Sequence, residues 1–129
     1  MQGTIRAIPR KISVHKGHHL LTPETRLCAS EEVADVVRKA LERADLPLAE
    51  VDRPGDGVIT FAIGGEEALA PFGYTLKITE TTVLAHASSH DGLLRAAETL
   101  RLLMHAQTGA FGRFPGWQLP CVEIADYGR

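Results

Sequence analysis

Ser88, Ser89, His90 and Asp91 set hydroxyl, imidazole and carboxylate groups side by side, the residue types of a hydrolytic triad. In a working triad the base takes the nucleophile's proton and the acid orients the base, and the three converge in space from different elements. Consecutive residues cannot converge in that way. The chain also lacks a Gly-x-Ser-x-Gly elbow that would expose a nucleophilic serine. The segment reads instead as a helix start, with Ser88 and Asp91 spaced as a capping box.

Six histidines raise metal chemistry: His15, His18, His19, His86, His90 and His105. A zinc site needs ligands at compatible spacing, such as two histidines one turn apart on a helix. No pair here meets that condition on a helix, and no cysteine or carboxylate pattern completes a set. His18 and His19 are neighbours on a strand and so point to opposite faces. Surface histidines, no metal and no cofactor are expected. Ile63-Gly64-Gly65-Glu66-Glu67 has the glycines of a phosphate loop without its Lys-Ser/Thr ending, or the third glycine of a dinucleotide fingerprint. It reads as a strand end where glycine permits positive φ.

Cys28 and Cys121 match no metal or redox spacing. They read as two reduced core thiols, with a disulfide between them left open. Phe111, Phe114, Trp117 and Tyr127 gather near the C-terminus although aromatics make up 5% of the chain. Such a cluster can contact a sugar or a partner protein, or anchor a loop onto its own domain. These four are the candidate contact residues, and no residue is assigned a catalytic, cofactor-binding or metal-binding role.

The elements that position these groups follow from periodicity. Residues 9–15 and 18–21 read as two short extended pieces punctuated by Gly17, with Ile12 and Val14 on one face, and Arg26 to Ala29 as a further strand. Ser30 is placed as an N-cap before Glu31 and Glu32, whose charges suit a helix N-terminus. Val33, Val36, Val37, Ala40, Leu41 and Ala44 then recur at helical spacing up to Leu46-Pro47. A loop over 52–57 leads to the apolar run Val58–Ile63, which suits burial on both faces. Tyr74, Leu76 and Ile78 alternate inward, and a tight connection at Glu80-Thr81 makes a hairpin with residues 82–87. Leu93, Ala96, Ala97, Leu100, Leu103 and Met104 line a second helix that Gly109 should stop. Leu119 to Ile124 reads as a closing strand after a Gly/Pro/aromatic loop.

The order is strands, helix, three strands, helix, strand, within 129 residues. This predicts a single α+β domain with a mostly antiparallel or mixed sheet and two amphipathic helices on one face. A chain of this length buries roughly two-thirds of its unfolded surface. With 44% hydrophobic and 23% charged residues it is no disordered tail. The formal net charge of -2 and interspersed signs argue against a nucleic-acid partner. No apolar run approaches the ~20 residues of a bilayer span, and residues 1–6 lack the apolar stretch of an export signal. A cytoplasmic location is expected for the chain as it stands, and a secreted parent if an export signal has been removed.

Three blocks, taken in order, resemble the N-terminal domain that precedes the catalytic barrel in β-N-acetylhexosaminidases of glycoside hydrolase family 20. The first is Ile8-Pro9-Arg10-Lys11-Ile12 with Leu21-Thr22-Pro23-Glu24-Thr25-Arg26. The second is Gly73-Tyr74-Thr75-Leu76-Lys77-Ile78, followed by Gly92-Leu93-Leu94 and Glu98-Thr99-Leu100-Arg101-Leu102-Leu103. The third is Trp117-Gln118-Leu119-Pro120-Cys121-Val122-Glu123-Ile124-Ala125-Asp126. Together they span nearly the whole chain. Two departures are the missing Pro-Gln between Arg10 and Lys11, and Gly128 where a proline often precedes the family's arginine.

The resemblance implies a non-catalytic domain that packs against and stabilises an α/β barrel on the same polypeptide. In the family that barrel carries an adjacent Asp-Glu pair, with Glu as general acid and the substrate's acetamido group as nucleophile. No Asp-Glu pair occurs in this sequence, and its single tryptophan cannot line a sugar pocket of several. Without the barrel, exposed apolar surface would favour a homodimer. Two other readings stay open at this point. One is an accessory domain of another glycosidase family, of the α-glucuronidase or O-GlcNAc hydrolase type. The other is a stand-alone carbohydrate-binding module using Trp117 and its aromatic neighbours.

Overall fold

The computed structural model describes residues 10–64, 73–106 and 117–126. Its elements in chain order are β1 (Arg10–Leu21), β2 (Arg26–Cys28), α1 (Glu31–Ala40), β3 (Ala49–Glu50), β4 (Val58–Ile63), β5 (Tyr74–Ile78), β6 (Val83–Ala87), α2 (His90–Leu103), β7 (His105–Ala106) and β8 (Trp117–Asp126). The strands form one mixed sheet in the order β1-β8-β5-β6-β4-β2-β3, with β7 beside β8. The β5–β6 hairpin is antiparallel, as are β1–β8 and β5–β8. The sheet becomes parallel across β6, β4, β2 and β3. An α+β fold with a mixed sheet is the architecture its periodicities predict.

Both helices bury one stripe into a single core. Val33, Ala34, Val37 and Ala40 of α1, and Leu93, Ala96, Ala97 and Leu100 of α2, join Leu27, Ile59, Phe61, Leu76, Ile78, Val83 and Ala85 from the sheet. On β5, Tyr74, Leu76 and Ile78 point into this core while Thr75 and Lys77 face away, the period-two signature of a half-covered strand. Val58 to Phe61 of β4 are buried as expected, but the run is not buried to its end: Ala62 is half-buried and Ile63, the last residue of β4, is exposed. At ~25 cal/mol per Å² of apolar surface, each fully buried leucine or isoleucine here stabilises the fold by roughly 1.5–3 kcal/mol.

Four further expectations need correcting. The two extended pieces before residue 22 are one strand, because β1 pairs with β8 on both sides of Gly17; the register shifts between Val14 and His18 and Gly17 absorbs it at φ +97. Helix α1 ends at Ala40 rather than running to Ala44, and Glu42–Ala44 tightens into a 3₁₀ turn that Asp45 closes at φ +52. Helix α2 ends at Leu103, well before Gly109, because Met104 turns extended and β7 pairs with β8. Thr108 and Gly109 lie outside the described residues, as does the aromatic loop over 111–116. Last, the N-cap of α2 is Ser89, one residue later than expected; its hydroxyl accepts a hydrogen bond from the Gly92 amide at 3.2 Å. Among the described residues no helix is long and apolar enough to cross a membrane.

Candidate functional site

The groups singled out for chemistry sit apart in the fold. Ser89 caps α2, and His90 and Asp91 lie exposed in its first turn, so the triad-like segment is a helix start. His15 Nε2 donates to the Glu123 carboxylate at 3.0 Å on the exposed side of the β1–β8 ribbon. His86 is half-buried on β6, while His18 is exposed and His19 is buried. Among the described residues no group of three His, Cys, Asp or Glu side chains could hold a metal ion. Gly64 leaves β4 at φ +128, in accord with the glycine reading, and residues 65–67 lie outside the described residues.

His19 departs from the expected surface histidines. Only 2% of it is exposed, and its Nδ1 donates to the Thr79 carbonyl at 3.0 Å while Nε2 is buried with no hydrogen-bond partner. Burial holds its pKa below the ordinary 6.5, against an opposing contribution from the Thr79 hydrogen bond. The imidazole therefore ties β1 to the β5–β6 turn as a neutral group. That turn is itself fixed by Thr79, whose backbone amide donates to the Thr82 carbonyl and whose hydroxyl accepts from the Thr81 and Thr82 amides.

Both cysteines are free thiols, but only Cys121 is a core residue; Cys28 is half-buried at the end of β2. Burial pushes the Cys121 thiol pKa up, with the Glu80 carboxylate adding to it, so this sulfur is a poor nucleophile.

Of the four aromatic contact candidates, Trp117 alone lies among the described residues. It begins β8, half-buried against the core, and the Arg43 guanidinium stacks 4.8 Å from its ring centroid. Contact with the core together with this cation–π contact anchors the start of β8. Phe111, Phe114 and Tyr127 lie outside the described residues.

A polar cluster lies in the interior where β8 ends. Asp126 is completely buried, and the half-exposed Arg95 of α2 sits 3.6 Å from its carboxylate. In the adjoining register position Tyr74 is buried, with its hydroxyl 2.5 Å from that of Thr99 on α2. The first contact ties the end of β8 to α2, and the second ties the start of the neighbouring β5 to the same helix. A buried charge needs such partners, because an unpaired carboxylate costs several kcal/mol. Sequence periodicity could place Tyr74 inward, but nothing in it couples Arg95 to Asp126.

The sheet face away from the helices is shallow and open. Lys11, Ser13, Thr75, Lys77, Leu84, His86 and Glu123 border a concavity there. Its lining surface is mainly apolar, with Leu76, Leu84, Ile124 and Ala125 among the contributing residues, and it carries both signs of charge and no Phe, Tyr or Trp.

Comparison with known proteins gives one family and a consistent set of folds. The family model described as glycosyl hydrolase family 20, domain 2, matches residues 7–127. A search of curated proteins finds no match. Among solved structures the chain resembles an N-acetyl-β-hexosaminidase of Streptomyces plicatus, with a TM-score of 0.74 at 21% identity over 90% of this chain and 24% of that one. The β-N-acetylhexosaminidase of Streptomyces coelicolor A3(2) gives 0.73 at 22% identity, with the same coverage of 90% and 24%. A β-N-acetylhexosaminidase from Bacteroides fragilis NCTC 9343 gives 0.65 at 24% identity, covering 90% and 22%. At such identities the likeness is one of fold, and the chain spans less than a quarter of each of these proteins.

Proposed function

The chain belongs to glycosyl hydrolase family 20, domain 2, and from that premise we propose that it is the non-catalytic domain of a β-N-acetylhexosaminidase. In this reading it packs against a catalytic α/β barrel that follows on the same polypeptide and hydrolyses terminal N-acetylhexosamine residues. The observation that carries it is the family match from residue 7 to residue 127. The chemistry supports it too. The sequence contains no Asp-Glu pair, and the triad-like segment is occupied in starting a helix.

The same match favours this reading over an accessory domain of an α-glucuronidase or an O-GlcNAc hydrolase. A self-sufficient sugar-binding module is disfavoured as well, since Trp117 is engaged by the core and by Arg43.

Apart from a barrel, the chain should self-associate. Ile12, Val14, Leu20, Ile63 and Leu102 are large apolar side chains left 49–74% exposed, and such surface favours association.

The test of the main reading is turnover of an aryl β-N-acetylglucosaminide. The purified 129-residue chain should give none, and a longer polypeptide that carries it should give turnover. Hydrolysis by the pure short chain would overturn the proposal.

A further inference from the structure

Where β1 passes the β5–β6 turn, one buried polar atom is left unsatisfied. His19 Nδ1 donates to the Thr79 carbonyl at 3.0 Å, and Nε2 has no hydrogen-bond partner. The two sides of this contact are not held equally. The turn is closed by the hydrogen bonds between Thr79 and Thr82, and the Gly57 amide, from the loop before β4, donates to the Thr81 carbonyl at 2.7 Å. β1 has β8 on one side and no described strand on the other. Its register breaks between Val14 and His18, where Gly17 stands at φ +97. Such a bulge bends a strand and interrupts its ladder. Pro120, opposite His18, has no N–H to give that ladder. β1 is therefore the side that moves when the contact opens.

The other titratable groups that border this corner are Glu80 of the turn, Cys121 of β8, and Lys16 and His18 of β1 itself. Glu80 is exposed, and its carboxylate rests against Gly17, where a Cβ would lie 3.0 Å from it. Cys121 is buried on β8 opposite the bulge, and Glu80 helps to hold its thiol pKa up. Lys16 and His18 are exposed. Toward the core the neighbours Leu21 and Leu119 are apolar. A proton taken up at Nε2 thus finds no acceptor where the ring lies, and a buried charge without a partner is strongly disfavoured. Glu80 follows Thr79 and touches β1 two residues before His19. An imidazole that leaves the core emerges beside that carboxylate.

We propose that His19 is an acid-operated latch. Neutral, it holds β1 on the β5–β6 turn; taking a proton from solvent at Nε2, it leaves the core, pairs with Glu80 and frees residues 15–20 while the rest of the sheet stays folded. The sign follows from the environment. Burial holds the latched ring below the ordinary 6.5, and release returns it toward that value. Opening is therefore indifferent to pH above 6.5 and favoured as pH falls below it.

Amide hydrogen exchange of the 129-residue chain, corrected for the intrinsic effect of pH on exchange, tests this. From about pH 7.5 to about pH 5.5, the protected amides among residues 18–20 should lose about fivefold to tenfold in protection. A local opening exposes little surface, so in urea below about 1 M their exchange should stay constant while that of β4 quickens. His19→Gln should abolish the acid response. Glu80→Gln, at an exposed position that folding tolerates, should leave protection at the higher pH unchanged and cut the acid response about twofold or more. No acid response, or one that survives His19→Gln, would overturn the latch. Exchange of residues 18–20 that quickens with urea as β4 does would overturn it too, since protonation would then act only through unfolding of the whole domain. A response that Glu80→Gln leaves whole would overturn the pairing with Glu80.

Discussion

His19 buries a ring nitrogen with no hydrogen-bond partner, and that couples its protonation to folding. Its buried imidazole has a folded-state pKa below the ordinary 6.5, while in the unfolded chain it titrates near that value. Above about pH 6.5 both states are neutral at this position and its effect on stability is constant. As pH falls through that value the unfolded chain takes up the proton first, so stability falls. Urea denaturation should therefore give a lower unfolding free energy near pH 5.5 than near pH 7.5, and His19→Gln should reduce that slope. Sequence alternation does separate His18 from His19, but it cannot say which face a ribbon at the sheet edge turns inward. That is why one of six similar histidines went unrecognised as interior. Gly92 gives a second residue-scale case. A Cβ there would collide with the carbonyl oxygen of Gly73, just before β5, and sit 2.7 Å from the methyl of Ala87 at the end of β6. Gly92→Ala should cost roughly 1–3 kcal/mol, read as a shift of the denaturation midpoint. The glycine is visible in the sequence; the strand lying against it is not.

The elements differ in how much local information defines them. Both helices and the β5–β6 hairpin have strong periodicity, and each forms where that periodicity lies. Their ends depend on single hydrogen bonds. Ser89 accepts from the Gly92 amide, whereas Ser30, the N-cap of α1, makes no side-chain cap bond. Ser89→Ala should then cost about 1 kcal/mol and Ser30→Ala only a few tenths, compared by urea unfolding. The sequence spacing points to Ser88 as the cap, and the cap falls one residue later, at Ser89. Other features were illegible because they depend on distant partners. β3 and β7 are two-residue strands that exist only as ladder contacts with β2 and β8. The parallel run β6-β4-β2 leaves no mark on any one segment. Gly17 reads as a strand break because glycine often ends strands. Here β8 pairs on either side of it and carries β1 through.

For the whole molecule, the parts combine into a domain whose interior is built for packing. Three of its buried side chains tie elements together: Asp126 with Arg95, Tyr74 with Thr99, His19 with Thr79. The first of these clamps fixes the end of β8, the strand that in the resemblance to family 20 leads into the barrel. Family membership was legible because three blocks keep their order across the chain, which needs no knowledge of contacts. The Arg95–Asp126 clamp and the uncovered edge of β1 were not legible, since each is a relation between residues far apart in sequence. The central claim is that this domain is joined to a family 20 barrel, and reading the gene beyond the codon for Arg129 tests it most directly. The expected result is an open frame encoding an α/β barrel with an adjacent Asp-Glu pair. A stop codon directly after Arg129 in the natural gene, or a frame leading into an unrelated domain, would contradict it.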